Sequence, residues 1–161
     1  MEMRTESVKN KQLVISGLVI ALYTVVMIVT QGFAFGAVQI RIATTLYALA
    51  YIFPFLVLPL GLANVLSNML LGGLGAADII GGGLVGILTS LLVYGVRKYK
   101  LNINLTAIPI VFIPGLIVPI WLCVILKIPY LPLAFSLCLG QVVPAALGTA
   151  LIKILQKRIG E

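Results

Sequence analysis

Apolar residues run through this chain in long unbroken blocks, separated by brief clusters of glycine, proline and charge. The blocks occupy residues 12–30, 42–58, 60–71, 79–94, 105–126 and 133–155. They are continuous rather than alternating, so they predict helices and not the strands of a membrane barrel. A helix takes about 20 residues to cross a bilayer. The six blocks therefore predict an all-α membrane protein, a single six-helix transmembrane bundle over residues 1–161. The second and third blocks nearly touch, and Pro59 and Gly61 mark a very tight turn between them. The other connections are a polar-leaning stretch at 31–41, a glycine-rich loop at 72–78, a basic loop at 97–104 and a short link at 127–132.

Composition points the same way. Of 161 residues, 61% are hydrophobic and only 9% charged, and the mean hydropathy is +1.21. Soluble domains carry about 25% charged residues. This chain cannot cover a water-facing surface, so its solvent is lipid. The first block is longer than a signal-peptide core and ends without a small-residue cleavage site, so it reads as a retained span.

The net charge of +7 reports topology. Nine of the eleven basic residues fall on one side of a six-span fold: Arg4, Lys9, Lys11, Arg97, Lys98, Lys100, Lys153, Lys157 and Arg158. Only Arg41 and Lys127 fall on the other. Positive charge marks the cytoplasmic face, so both termini are expected in the cytoplasm. The basic residues flank apolar runs and form no patch with stacking aromatics, so no nucleic-acid partner is expected.

Between Gln12 and Val96 the only charged side chains are Arg41 and Asp78. A charge beside lipid-spanning sequence is costly and is usually paired, solvated or functional. The topology puts both on the outer side, in the first and third connections, at either end of the second-to-fourth-span unit. They are candidates for a ligand site or its lid, or alternatively for a structural ion pair.

Other chemistry is excluded or weak. The chain has no histidine, so a His-based catalytic or metal site is out, and no cofactor is expected. Cys123 and Cys138 sit in apolar blocks and read as small buried hydrophobes. The run from Gly81 to Gly86 matches G-x-G-x-x-G, but it begins a membrane helix instead of following a strand. Gly82 and Gly86 are better read as a close-packing pair. There is no P-loop motif, so any ATP hydrolysis must come from a partner. Gly17 and Ala21 form a second small-residue pair, suited to packing or to docking another subunit.

Asn64, Ser67 and Asn68 place polar groups in the third block, with Asn64 and Asn68 four apart on one helix face. Gln141 is similarly placed in the sixth block. Such groups inside lipid must point to protein, water or ligand. Phe33, Phe35, Gln39 and Arg41 crowd the first outer connection, a mix that suits a planar hydrogen-bonding ligand. Tyr47, Tyr51 and Trp121 extend that role or anchor the membrane interface.

The segment from Val38 to Leu92, together with the six short spans and the basic tail, resembles the substrate-binding S-component of energy-coupling factor (ECF) transporters, in particular the queuosine-precursor (QueT-type) branch. The resemblance rests on Gln39-Ile40-Arg41 before the second span, Ile52-Phe53-Pro54 ending it, the following glycine–asparagine pattern, and Asp78-Ile79-Ile80-Gly81. Two positions depart from that branch. Thr44 stands where an acidic residue usually follows the arginine, and Gln141 follows Gly140 where glutamate is common.

The resemblance implies an ABC-type importer subunit of the bacterial plasma membrane that is not itself an enzyme. It captures a scarce micronutrient at the outer face, with Gln39, Arg41, Tyr47, Asn68, Asp78 and Gln141 as expected substrate-binding residues. A deazaguanine precursor of queuosine is the expected ligand, with cobalamin or another vitamin as the alternative. Gly17 and Ala21 would dock a transmembrane coupling subunit, and two cytoplasmic ATPase subunits would drive toppling and release. Gly32, Gly36, Gly72, Gly73 and Gly75 suit lid hinges. From a different class, a structural or assembly membrane protein without small ligand is the competing reading. An intramembrane enzyme would have Asp78 alone as its catalytic group.

Overall fold

A computed structural model describes residues 2–34, 39–71 and 74–159, apart from the side chains of residues 2–5 and 33. Among these residues the protein is all helix, with no strand. The elements are α1 (Glu2–Val29), the one-turn α2 (Gln31–Ala34), a 3-10 helix (Ile42–Tyr51), α3 (Val57–Leu70), α4 (Ala76–Lys98), α5 (Ala107–Ile117), α6 (Pro119–Leu126) and α7 (Tyr130–Ile159). One-turn 3-10 segments lead into α3 at Pro54–Leu56 and into α5 at Ile103–Thr106. With α5 and α6 taken as one broken rod and the one-turn α2 set aside, six helical segments result among the described residues.

Among the described residues, four stretches are long and apolar enough to cross a membrane: Glu6–Val29, Ala76–Lys98, Ile103–Leu126 and Tyr130–Ile159. The remaining two, Ile42–Tyr51 and Pro54–Leu70, are shorter. A 3-10 helix rises about 2.0 Å per residue and an α-helix about 1.5 Å. By those rises neither short segment reaches the roughly 30 Å of a hydrocarbon core.

The turn between them is not where the sequence suggested. Pro59 and Gly61 lie inside α3, and the chain turns instead at Ile52 and Phe53. Proline explains both facts. Pro54 excludes helix at the preceding residue, and Phe53 is accordingly extended (φ −120°, ψ 84°). Pro59 falls in the first turn of α3, where its missing N–H costs nothing. Gly61 is a packing residue: a Cβ there would collide with Ile87 and approach the Gly83 carbonyl at 3.0 Å. Asp78 also shifts, from the end of a loop to the first turn of α4. A carboxylate there complements the positive end of the helix dipole.

The 3-10 helix is the centre of the bundle, packed against α4, α7 and α1, while α3 lies on α4 and α5 on α7. Close approach is built from glycine. A Cβ at Gly148 would come within 3.0 Å of Ala48, and one at Gly115 would collide with Cys138. Cys123 and Cys138 are free thiols, only partly buried rather than fully inside. One end of the 3-10 helix is closed by Arg97, whose Nη1 donates to the carbonyls of Tyr51 (3.1 Å) and Ile52 (2.7 Å). Those carbonyls would otherwise lack helical partners. Outward faces stay apolar, including Leu18, Leu84, Val124 and Phe135.

Candidate functional site

At the other end of the 3-10 helix lies a cluster of buried polar side chains. Residues three apart eclipse on a 3-10 helix. Arg41, as its cap, then stands in one row with Thr44 and Tyr47. On an α-helix the same three would drift around the surface, because the turn is 3.6 residues. The row faces Asn64 and Asn68 on α3 and Gln141 on α7.

Arg41 is 6% exposed and Asp78 4%. The guanidinium Nη2 of Arg41 donates to Asn68 Oδ1 at 2.6 Å. Asn68 Nδ2 in turn donates to the backbone carbonyl of Asp78 at 2.9 Å. The Asp78 carboxylate accepts from Trp121 Nε1 at 3.1 Å and from the Leu74 amide at 3.4 Å. Asn68 therefore links the two charged residues, and the indole of α6 holds the acid. Buried charges held by hydrogen bonds in this way avoid the large cost of bare desolvation.

The Thr44 hydroxyl donates in a three-centre bond to the Arg41 carbonyl and to Gln141 Oε1, both at 2.7 Å. Tyr47 accepts from Asn64 Nδ2 at 2.6 Å, and its hydroxyl lies 3.1 Å from that of Tyr23, with the rings stacked at 5.8 Å. Asn64 is 2% exposed, yet its Oδ1 has no hydrogen-bond partner among the described residues. Ser90 Oγ shares that condition.

A cavity of about 10 Å³ lies inside this cluster, lined by Gln39, Arg41, Thr44, Tyr47, Asn64 and Gln141 with apolar walls from Val85, Pro114, Val118 and Leu137. That is roughly the room one water requires. The backbone is keyed around it. A Cβ at Gly82 would stand 2.6 Å from Asn68 Nδ2 and 2.8 Å from Asn64 Oδ1, so the asparagines fit only against glycine. At Gly140 a Cβ would collide with the Gln39 carbonyl.

The six residues expected at the substrate site therefore separate. Gln39, Arg41, Tyr47 and Gln141 line the cavity; Asn68 and Asp78 lie behind Arg41. Gln39 and Arg41 are buried rather than displayed on an outer connection. Asn64 lines the cavity although the polar residue singled out in α3 was its neighbour Asn68. The four-residue spacing put both on one face and could not rank them; only the packing against Tyr47 does. Trp121, seen in the sequence as a membrane anchor or site extension, holds Asp78. Tyr51 lies at the opposite end, in contact with Arg97. The Phe33 side chain, Phe35, Gly36, Gly72 and Gly73 lie outside the described residues. Gly75 caps α4 with φ +95°, a backbone that glycine adopts without strain. Gly17 and Ala21 are exposed on α1, and a Cβ at Gly17 would meet nothing within 4 Å. Gly82 and Gly86 face α3 and the 3-10 helix, as close-packing glycines do.

Membrane-length apolar helices wrapped around a buried, hydrogen-bonded polar cluster are the build of a multi-pass membrane protein. A family model for the QueT transporter matches residues 13–157, nearly the whole chain. The chain belongs to the QueT transporter family. No curated protein and no solved structure matches it.

Proposed function

We propose that this protein is the substrate-capturing S-component of an ECF-type ABC importer and that its ligand is a deazaguanine precursor of queuosine. The observation that carries this is the buried cluster of Gln39, Arg41, Thr44, Asn64 and Gln141 around an internal cavity, in a chain of the QueT transporter family. Amides and hydroxyls between apolar walls suit a planar, hydrogen-bonding ring. The packing also favours a small ligand over cobalamin. A corrinoid is many times larger than a bicyclic base, whereas glycines at 82, 86 and 140 hold the elements around the cluster in close contact.

A ring needs more space than the cavity offers, so capture requires a segment to move. The stretch that carries Gln39 into α7 at Gly140 is that segment, a lid that closes over the ligand. With both termini cytoplasmic, as the positive-inside asymmetry favours, the cluster sits toward the outer face. The chain supplies no ATPase, so partner ATPase subunits energise transport through a transmembrane coupling subunit. Gly17 and Ala21, on the exposed face of α1, dock that subunit.

Direct binding by the purified protein tests the ligand, with a deazaguanine precursor compared against cobalamin. Tight binding of the deazaguanine is expected; binding of cobalamin alone would replace it as the cargo. Docking is tested separately with Ala21→Trp. The expected outcome is a several-fold loss of intact complex on co-purification, with ligand affinity unchanged. A normal yield of complex would remove α1 from the interface.

A further inference from the structure

We propose that the groove between the end of α4 and the start of α5 holds one acyl chain of an anionic phospholipid, with the headgroup phosphate at Lys98 and Lys100. This needs only the membrane setting of the chain and is independent of its cargo.

The groove has a volume of about 390 Å³. Its walls are almost entirely apolar, with Leu92 from α4, Leu105 from the 3-10 turn before α5, and Ile108 and Phe112 from α5. Leu92, Ile108 and Phe112 belong to the outward, lipid-facing surface. Gly95 also lines the groove, and a Cβ there would meet nothing within 4 Å. It is therefore no close-packing glycine like Gly82 or Gly86; it leaves room. A concave apolar surface in lipid gains dispersion contacts from a hydrocarbon chain laid into it, whereas water there would lose its hydrogen bonds.

The end of α4 supplies the headgroup side. The Leu101 amide donates to the Val96 carbonyl and the Lys100 amide to the Arg97 carbonyl, both at 2.9 Å, the pattern of a Schellman motif. Val96 and Leu101, joined by that motif, both line the groove. The motif needs one left-handed residue, usually glycine. Here it is Lys100, at φ 55°. An L side chain is disfavoured in that conformation, so a lysine stands where glycine would fold more easily. Lys98 and Lys100 are exposed and flank Tyr99, which lines the groove. Lysines and a tyrosine at a membrane interface suit a lipid phosphate.

The surrounding charge is of one sign. No acidic residue occurs between Asp78 and Glu161, and Glu2 and Glu6 lie on α1, which does not line the groove. Val96 packs in one cluster with Ile152 and Leu155 of α7. That packing brings Lys153 and Lys157 to the same end of the bundle.

The test is native mass spectrometry of the full-length protein released from nanodiscs of dioleoyl phosphatidylglycerol and dioleoyl phosphatidylcholine in equal parts. The two lipids share their chains and differ in headgroup charge. The expected result is one retained phosphatidylglycerol, favoured over phosphatidylcholine by about tenfold. Lys98→Gln/Lys100→Asn, with Asn chosen because it tolerates the left-handed backbone, is expected to abolish most of that preference. Gly95→Leu fills the groove and is expected to lower retained lipid several-fold in protein that stays monodisperse. Equal retention of the two lipids, or retention of neither, overturns the proposal. So does an unchanged preference in the lysine variant, which would leave those lysines to membrane topology alone. Normal retention by Gly95→Leu also overturns it; if that variant instead yields less complex with a coupling subunit, the groove is a protein interface. Should Gly95→Leu fail to fold, the exposed-lysine variant decides alone.

Discussion

The 3-10 helix at the centre of this bundle has an arginine at each end, and the two do opposite kinds of work. Arg97 reaches from α4 to the carbonyls of Tyr51 and Ile52. Those acceptors are backbone, fixed in place and left over by the end of a helix. Arg41 instead donates to a side chain, Asn68, beside a cavity lined by amides and hydroxyls. Its surroundings also include an acceptor, Asn64 Oδ1, without a partner among the described residues. One arginine closes a helix; the other sits in a network with capacity to spare. Arg41 is buried and Arg97 only half-buried, and the identity of their acceptors separates their work further.

The largest expected effect breaks the Arg41 end. Arg41→Ala removes a buried charge and strands Asn68 Oδ1, a change on the order of 3 kcal/mol. Ligand affinity should fall by about a hundredfold, while the protein remains extractable and monodisperse by size-exclusion chromatography. Unchanged affinity would reduce Arg41 to a structural residue like its counterpart.

Arg97→Ala should show the reverse pattern. Two carbonyls lose a charged donor, a loss of about 2–3 kcal/mol. The melting temperature in detergent should drop by several degrees, with ligand affinity in the surviving folded fraction within about twofold. A selective loss of binding would contradict the division between the two ends.

Gly140→Ala sharpens the comparison on the ligand side. The added methyl collides with the Gln39 carbonyl, and overpacking of this kind costs about 1–3 kcal/mol. The displacement falls on the segment proposed above as a lid, so faster ligand release is expected, measured by stopped-flow displacement. A mutant with unaltered release would show that the segment does not move.

The smallest effect is expected from Trp121→Phe. It keeps the ring against Gly81 but removes the Nε1 donor to Asp78. A loss of about 1–2 kcal/mol in stability, read from thermal melts, should come with a modest change in affinity. If affinity collapses while stability holds, Asp78 belongs to the ligand site itself.

Much of this was legible along the chain. The continuous apolar blocks and the scarcity of charge determine an all-helical membrane protein, because a chain with 9% charged residues has no means of facing water. The isolation of Arg41 and Asp78 marks the place to look, because a lone charge in such sequence is too costly to be idle. The motif around Gln39-Ile40-Arg41 and Asp78 pointed to the family that the match over residues 13–157 shows. Gln141 and Gly82 could also be picked out, one as a polar residue in an apolar run, the other as half of a small-residue pair.

The tertiary structure decided the rest. Nothing in IATTLYALAY specifies a 3-10 helix over an α-helix. The choice depends on the neighbours that pack against it, and it sets whether Arg41, Thr44 and Tyr47 share one row. Asn64 and Asn68 are equivalent by spacing; only the position of Tyr47 and the bare backbone at Gly82 give one the cavity and the other the charge relay. Pro59 and Gly61 look like a turn, yet their roles follow from where Pro54 interrupts the chain and from how closely α3 approaches α4. Local sequence sets which residues are apolar, polar or free to bend; contacts between residues far apart in the chain set which of them meet.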